Sequence, residues 1–458
     1  MYTALVSTLL FPLHERLKGH DSVAWRRHLE ATQWWSPEQL AAHQIERLRS
    51  LLVDAGRHVP YWRALYERIG FQPQALAGLA DLRALPLLTK ADIRAHADAM
   101  KHPQARGLAR FNTGGSSGEP LIFYIGKERV SHDVAAKWRA TRWHGVDIGD
   151  REAVVWGSPI ELGAQDRLRR WRDRLLRTRL LPAFAMSEER LDGFVADLRA
   201  QRPRMLFGYP SALSHIARHA ERRGQRMDDL GVRVAFVTSE RLYNDQREAI
   251  GRVFGCRVAN GYGGRDAGFI AHECEHGGMH VTAEDIVVET VDDAGAPVPD
   301  GSPGEVVVTH LATHDFPFIR YRTGDVAVLD RHGRCACGRS LPMLREIQGR
   351  STDFVVAADG TVMHGLALIY IVRDLPGVRS FKIVQESLQR TDVQLVVDAA
   401  FDRTRMDAIA RDFRRRLGAE VQVDVRLVDA IAPERSGKFR YVVSKVSAPS
   451  RREPAEVV

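Results

Sequence analysis

The sequence predicts an α/β protein: a large N-terminal domain with an antiparallel β subdomain, followed by a small α+β C-terminal domain. Three observations predict it. Between residues 111 and 330, short apolar runs such as Glu152–Trp156, Met205–Tyr209, Arg233–Thr238 and Val258–Asn260 alternate with helical stretches, the pattern of a sheet covered by helices. After Val281 the strands follow one another through turn signals such as Val291-Asp-Asp-Ala-Gly-Ala-Pro297 and Asp300-Gly-Ser-Pro-Gly304, which predicts antiparallel pairing. From residue 354 a β-β-α-β order emerges: Val378–Val384, Asp392–Val397, a helix near Asp407–Leu417, and Val421–Val428.

In chain order, residues 1–80 read as helices packed on the large domain. Pro37–Leu52 has apolar residues at helical spacing behind a Ser36-Pro37 start, and Leu85–Ile93 opens another helix. The large domain spans 81–350, with Leu121-Ile-Phe-Tyr-Ile125 as a strand and the arginine-rich run Arg167–Leu181 as a basic amphipathic helix. That helix reads as a solvated face, with anionic lipid or an acidic partner as the alternative. A hinge is expected at 351–353, the small domain at 354–447 and a disordered tail at 448–458.

Composition narrows the classes of function. The chain has 458 residues, 44% of them hydrophobic and 27% charged, as in a folded multidomain protein rather than a disordered one. No apolar run approaches the roughly 20 residues that cross a bilayer. The first thirteen residues lack the features of a signal peptide, so a cytoplasmic protein is expected. The charge of +8 comes mainly from arginines spread along the chain without a nucleic-acid signature, and no nucleic-acid partner is expected. Four cysteines make no disulfide framework in a chain this long, which leaves metal binding as their alternative use.

Phe111-Asn-Thr-Gly-Gly-Ser-Ser-Gly-Glu-Pro120 concentrates backbone N–H groups and short hydroxyls in a form suited to phosphate. It lacks the Gly-Lys-[Ser/Thr] of the P-loop and precedes a strand rather than a helix. Four further strings follow in order: Asn260-Gly-Tyr-Gly-Gly-Arg-Asp266, Tyr321-Arg-Thr-Gly-Asp325, Gly349-Arg-Ser-Thr-Asp353 and Ser436-Gly-Lys-Phe-Arg440. Together, over about residues 80–445, the five strings resemble the adenylate-forming enzymes, which include acyl-CoA synthetases, the adenylation domains of peptide synthetases and luciferases. Gly-Glu-Pro-Leu121, Phe316–Asp325 and Cys335-Ala-Cys-Gly-Arg339 look like the phenylacetate-CoA ligase group. Gly437-Lys-Phe-Arg-Tyr-Val-Val443 looks most like the adenylating proteins of capsular polysaccharide biosynthesis.

The resemblance implies two α/β sheets in the large domain, a mobile small domain, and the use of ATP with Mg²⁺. It gives the β- and γ-phosphates to Thr113, Gly114, Gly115, Ser116, Ser117 and Gly118. Leu121 stands where a lysine is usual. Asn260, Gly261, Tyr262 and Gly263 would border the nucleotide, with Tyr262 near adenine. Asp266 would replace a longer Mg²⁺-coordinating carboxylate, and Arg265 would replace a threonine at the α-phosphate. Asp325 would accept from both ribose hydroxyls, for which its two oxygens suit. Ser239, Glu240 and Arg241 would line the adenine pocket, Arg350 would touch ribose or phosphate, and Lys438 would reach the α-phosphate and substrate carboxylate as the catalytic lysine. Thr352-Asp353 departs from the usual hinge pair.

Cys335-Ala-Cys337, Cys274 and either His280 or His276 form a candidate structural Zn²⁺ site. His280 is preferred because it begins the Val281 strand; reduced thiols in turns are the alternative. Cys256 reads as core. For the acyl pocket, Phe123, Trp138, Trp143, His144, Trp156, Tyr209 and Pro210 lie in suitable regions, though most are expected in the core.

The sequence therefore points to an AMP-forming ligase that adenylates a small aryl or acyl acid and transfers the acyl group to CoA or another thiol, such as that of phosphopantetheine. One alternative keeps the adenylation and transfers to an acyl carrier protein, an amine or a sugar hydroxyl. The other is a catalytically silent nucleotide-binding scaffold, to which Leu121, Arg265, Asp266 and Thr352 lend support. A homodimer is a family-level possibility.

Overall fold

The computed structural model describes residues 1–112, 121–156, 167–183, 186–240, 242, 244–292, 294–347, 354–373, 375–431 and 442–446. Helices dominate the first eighty residues. Helix Pro37–His58 starts where the sequence places it and continues past Leu52: Ser36 Oγ accepts from the Gln39 N–H at 3.3 Å, and Gln39 Oε1 accepts from the Ser36 N–H at 2.9 Å. This reciprocal cap satisfies two helix-end donors. Thr89 and Asp92 cap helix Lys90–His96 in the same way. Leu48, Leu51, Leu52 and Trp62 then share a core with Val281, Ile286, Phe316, Phe318 and Tyr321, so the N-terminal helices complete the antiparallel part of the large domain.

Strands β1 (Ala109–Asn112) and β2 (Ile122–Ile125) pair antiparallel on either side of residues 113–120. An eleven-stranded sheet carries the rest of the large domain. Its parallel half comprises β3 (Glu152–Trp156), β4 (Thr178–Pro182), β5 (Met205–Gly208), β6 (Val234–Thr238) and β7 (Arg257–Gly264), in the order β7-β6-β5-β3-β4. Its antiparallel half adds β8 (Gly268–Glu273), β9 (Met279–Val281), β10 (Ile286–Val291), β11 (Pro303–His310), β12 (Tyr321–Asp330) and β13 (Met343–Ile347), in the order β10-β11-β12-β13-β9-β8.

Separate sheets were the expectation; hydrogen bonding instead runs on through β7, which pairs β6 in parallel and β8 antiparallel. The extension of β7 beyond Asn260 depends on glycine. A Cβ at Gly263 would meet the Gly268 carbonyl oxygen at 2.0 Å, so any side chain there would part the two strands. The sequence reading also carries a helix through Arg167–Leu181, and this is corrected: the helix spans Arg167–Leu175, Arg177 turns at φ +58°, and Thr178–Pro182 is the edge strand beside β3. The β-branched Thr178 and the pairing of Leu180 and Leu181 with Val154 and Val155 outweigh the helical periodicity.

The small domain contains a hairpin of β14 (Phe354–Val356) and β15 (Val362–His364), a helix Leu366–Val372, and a four-stranded sheet. The sheet strands are β16 (Val378–Ser387), β17 (Arg390–Val397), β18 (Gln422–Leu427) and β19 (Val442–Ser444), in the order β18-β17-β16-β19. Helix Met406–Leu417 packs on them, and Phe381, Ile383, Leu395, Ile409 and Phe413 form a core of the domain's own. The buried Gln385 ties hairpin to sheet: its Oε1 accepts from the Val356 N–H at 2.9 Å and its Nε2 donates to the Val356 carbonyl at 2.6 Å.

Candidate active site

The ends of β7 and β12 bring two of the sequence strings together. Tyr262 is buried in β7, and its hydroxyl donates to Asp325 Oδ2 at 3.2 Å. Burial, reinforced by the Asp325 charge, pushes the Tyr262 phenol well above its ordinary value, so it remains a donor. Asp325 sits in a bulge: the register shifts between Glu305, paired with Val326, and Val307, paired with Arg322, Gly324 turns at φ +79°, and the Gly324 N–H donates to Glu305 Oε1 at 3.2 Å. The Asp325 N–H is held by Thr323 Oγ1 at 3.1 Å. A bulge re-aims a side chain out of the regular pleat, here towards the end of β7.

Asp266 lies in the turn between β7 and β8. Its Oδ2 accepts from the Tyr321 hydroxyl at 2.5 Å and its Oδ1 from the Ala267 N–H at 3.1 Å. A Cβ at Gly264 would stand 2.6 Å from Oδ1, so glycine keeps space beside this carboxylate. An oxygen-rich carboxylate with room beside it fits Mg²⁺, a hard cation that binds through one or two carboxylates and substrate phosphates.

A cavity of about 630 Å³ opens beside this strand end. Thr238, Ser239, Gly263, Gly264 and Arg265 line one part of it, and Val154, Trp156, Met205 and Phe207 give it an apolar wall. Ser239 takes φ +73°, a strained conformation for a residue with a side chain, where β6 ends at the cavity. Glu240 instead accepts from the Ser211 hydroxyl, and Asn260 contributes its N–H to Glu273 Oε2 at 2.9 Å.

Of the aromatic candidates, Trp138 and Trp156 line the cavity, with Trp156 stacked on Tyr209 at 4.4 Å. Phe123 is core, packed edge-on against Phe318. Trp143 donates to Gln33 Oε1 at 2.8 Å and His144 bonds the Glu273 carbonyl at 3.0 Å, so both serve other contacts. Pro210 occupies the first turn of helix Pro210–Arg222. Leu121 is fully buried in the core, which makes it a packing position. Thr113, Gly114, Gly115, Ser116, Ser117, Gly118, Arg241, Arg350, Thr352, Asp353 and Lys438 lie outside the described residues.

Two contributors carried no role in the sequence reading. Arg129, buried on helix Lys127–Trp143, donates from Nε to both Asp133 oxygens at 3.1 and 3.0 Å and reaches the Arg265 and Asp266 carbonyls at 3.5 Å. Burial opposes ionisation of Asp133, but Arg129 and the His132 and His310 contacts hold its carboxyl well below the usual range. Only the Arg129/Asp133 spacing of four hinted at this pair. Tyr321 stood inside a recognised string with no function attached to it.

The cysteine cluster assembles at another corner of the sheet. Ligand atoms of Cys274, His280, Cys335 and Cys337 lie within 4.8 Å of one another. Cys274 Sγ is 3.6 Å from Cys335 Sγ, and Cys337 Sγ is 3.2 Å from His280 Nε2. Tetrahedral zinc with Zn–S bonds near 2.3 Å holds its sulfurs about 3.8 Å apart, so the donor set fits Zn²⁺. Gly278 closes the cradle, because a Cβ there would stand 2.7 Å from Cys335 Sγ. His280 Nδ1 faces the Leu341 carbonyl at 3.4 Å, and burial lowers this imidazole to about 4, which leaves it neutral for ligation. His276 stands outside the cluster and contributes only its N–H, 3.4 Å from Cys274 Sγ.

Two family models match the chain: the AMP-binding enzyme model over residues 177–312 and the CapK C-terminal domain over residues 355–445. These matches support an adenylate-forming, phenylacetate-CoA ligase-like protein close to CapK. Protein CapK of Staphylococcus aureus is 24% identical over 371 residues, covering 80% of this chain and 81% of CapK. The phenylacetate-coenzyme A ligase of Thermus thermophilus is 27% identical over 328 residues, covering 70% and 72%. The same fold occurs in 2-hydroxyisobutyryl-CoA ligase, solved with 2-HIB-AMP and CoA: TM-score 0.64, 23% identity, 90% of this chain and 91% of that one.

Proposed function

We propose that this adenylate-forming enzyme activates an aryl or acyl carboxylic acid with ATP and passes the acyl group to CoA or another thiol. The carrying observation is the convergence of Tyr262, Asp266, Tyr321 and Asp325 beside a cavity with an apolar wall. In the first step the acid's carboxylate oxygen attacks the α-phosphorus of ATP and pyrophosphate leaves. In the second a thiolate sulfur attacks the acyl carbon and AMP departs. Both reactants of the first step are anions, so charge must be neutralised as they meet. Arg265, at the cavity wall, and Lys438 supply positive charge, and Asp325 orients the ribose. Asp266 would hold Mg²⁺, which when bound screens the phosphates. The zinc proposed at Cys274, His280, Cys335 and Cys337 is a staple remote from this chemistry.

The CapK match favours a second reading, in which a carrier-protein thiol, an amine or a sugar hydroxyl receives the acyl group, as in polysaccharide biosynthesis. ATP–pyrophosphate exchange across a panel of aryl, fatty, hydroxy and amino acids tests the first step. Exchange with one acid is the expected result; ATP binding without exchange for any acid would favour the silent scaffold. AMP release measured with and without CoA, carrier protein, amine or sugar then separates the acceptors.

A further inference from the structure

One face of the N-terminal helix is apolar and, among the described residues, uncovered. Helical structure runs from Tyr2 to Lys18 and stops at Gly19, in a left-handed cap. Its inner face is anchored: Val6 and Phe11 are buried in a cluster with Trp138, and Glu15 accepts from the Ser22 hydroxyl at 2.6 Å. On the outer side Leu5, Leu9, Leu13 and Leu17 recur every four residues, exposed by 45%, 56%, 53% and 80%, behind a fully exposed Met1. Four leucines in one row on the outside of a soluble helix are a large exposed apolar surface.

The neighbouring element is basic. Residues 167–181 hold seven arginines against Asp173, and in helix Arg167–Leu175 Trp171 is 72% exposed. This helix sits beside the N-terminal one: the Tyr2 hydroxyl donates to the Leu175 carbonyl at 2.7 Å, the Arg177 guanidinium lies 3.9 Å over the Tyr2 ring, and Leu176 packs into the Val6–Phe11 cluster. A leucine row and an exposed tryptophan flanked by arginines is the composition of a surface that lies in a membrane interface. There the apolar side chains enter the acyl boundary and guanidinium groups meet anionic headgroups. The leucine spacing separates this from helix pairing. The row keeps a four-residue step through the π-helical turn at Val6–Leu10, whereas a two-helix α-helical seam needs an average spacing of 3.5. Among the described residues no helix is long and apolar enough to cross a membrane.

We propose that this face docks the protein on an anionic lipid surface, with Leu5, Leu9, Leu13, Leu17 and Trp171 as the inserted residues and Arg174 and its neighbours as the headgroup contacts. The test is co-sedimentation of the full chain with vesicles of phosphatidylcholine alone or with 30% phosphatidylglycerol. Binding to the anionic vesicles is expected, weakened by salt. Leu9→Ser with Leu13→Ser, and separately Trp171→Ser, should lower it by about tenfold or more, and Arg174→Glu should lower it on anionic vesicles. All these positions are exposed, and an unchanged thermal midpoint confirms that each variant is folded. Absent binding, equal binding to both vesicle types, or undiminished binding by the leucine variant would each overturn the proposal. So would a dimer in sedimentation equilibrium that the same leucine variant dissociates, which would give the face to a second copy of the chain.

Discussion

The Tyr262–Asp325 bond ties the end of β7 to the bulge of β12, and neither residue can be positioned without the other strand. A hydrogen bond to a charged group contributes about 1.5–3 kcal/mol. Asp325→Ala should therefore raise the KM for ATP by about tenfold or more in the exchange assay, while Tyr262→Phe, which leaves the carboxylate in place, should have a smaller effect. Equal ATP affinity in wild type and Asp325→Ala would remove Asp325 from nucleotide binding. Lys438→Ala should lower exchange by about a hundredfold or more, as expected for loss of a charge that acts in the transition state, with ATP binding retained. Undiminished exchange would take Lys438 out of the mechanism.

At the scale of elements, the cysteine corner joins β8, β9 and the Cys335–Cys337 turn ahead of β13. Protein purified without added metal should contain about one zinc per chain by elemental analysis. Cys335→Ser should lose it and lower the thermal midpoint, because structural zinc contributes directly to folding. A metal-free, equally stable wild type would leave only four reduced side chains. This cluster was legible in the sequence because the chain has only four cysteines, and the choice of histidine narrowed to His280 because a strand start fixes a side chain. Strands β3, β5 and β6 were legible for the same kind of reason, as short apolar runs between turns. The hairpin β14–β15 and helix Leu366–Val372 were not: three-residue strands show no period, and Leu366-Ala-Leu-Ile-Tyr-Ile-Val372 is apolar throughout. The Arg129 clamp was hidden because its carbonyl partners are more than 130 residues away in the chain.

Over the whole molecule, a buried polar layer lies between helix Lys127–Trp143 and the sheet, with Arg139 paired to Glu284 at 2.5 Å and His272 fully buried. Burial, then the Arg139 charge, lowers His272 to about 3, and burial lowers His215 to about 4. Both folded values lie below the ordinary 6.5, so the unfolded chain binds more protons between about pH 6.5 and pH 4. The contribution of these two groups to stability is thus flat above pH 7 and falls on acidification, by up to about 1.4 kcal/mol per pH unit for each group. Thermal midpoints from pH 7.5 to 5 should decline accordingly, and less steeply in His272→Asn; a midpoint constant over that range would contradict the assignment. The eleven-stranded sheet has a further property as a mechanical object. Its strands β13 and β9 are joined at a single pair, Met343 with His280, while the other adjacent strands share three or more. A seam so thin is the place for the sheet to part first, so amide exchange should be faster at β9 and β13 than along β5 and β6, and chelation of a bound metal should widen that gap. With zinc held by Cys274, His280, Cys335 and Cys337, this one-pair seam inside the antiparallel half would be stapled from the side, and metal supply would then help to decide whether the sheet matures as one body.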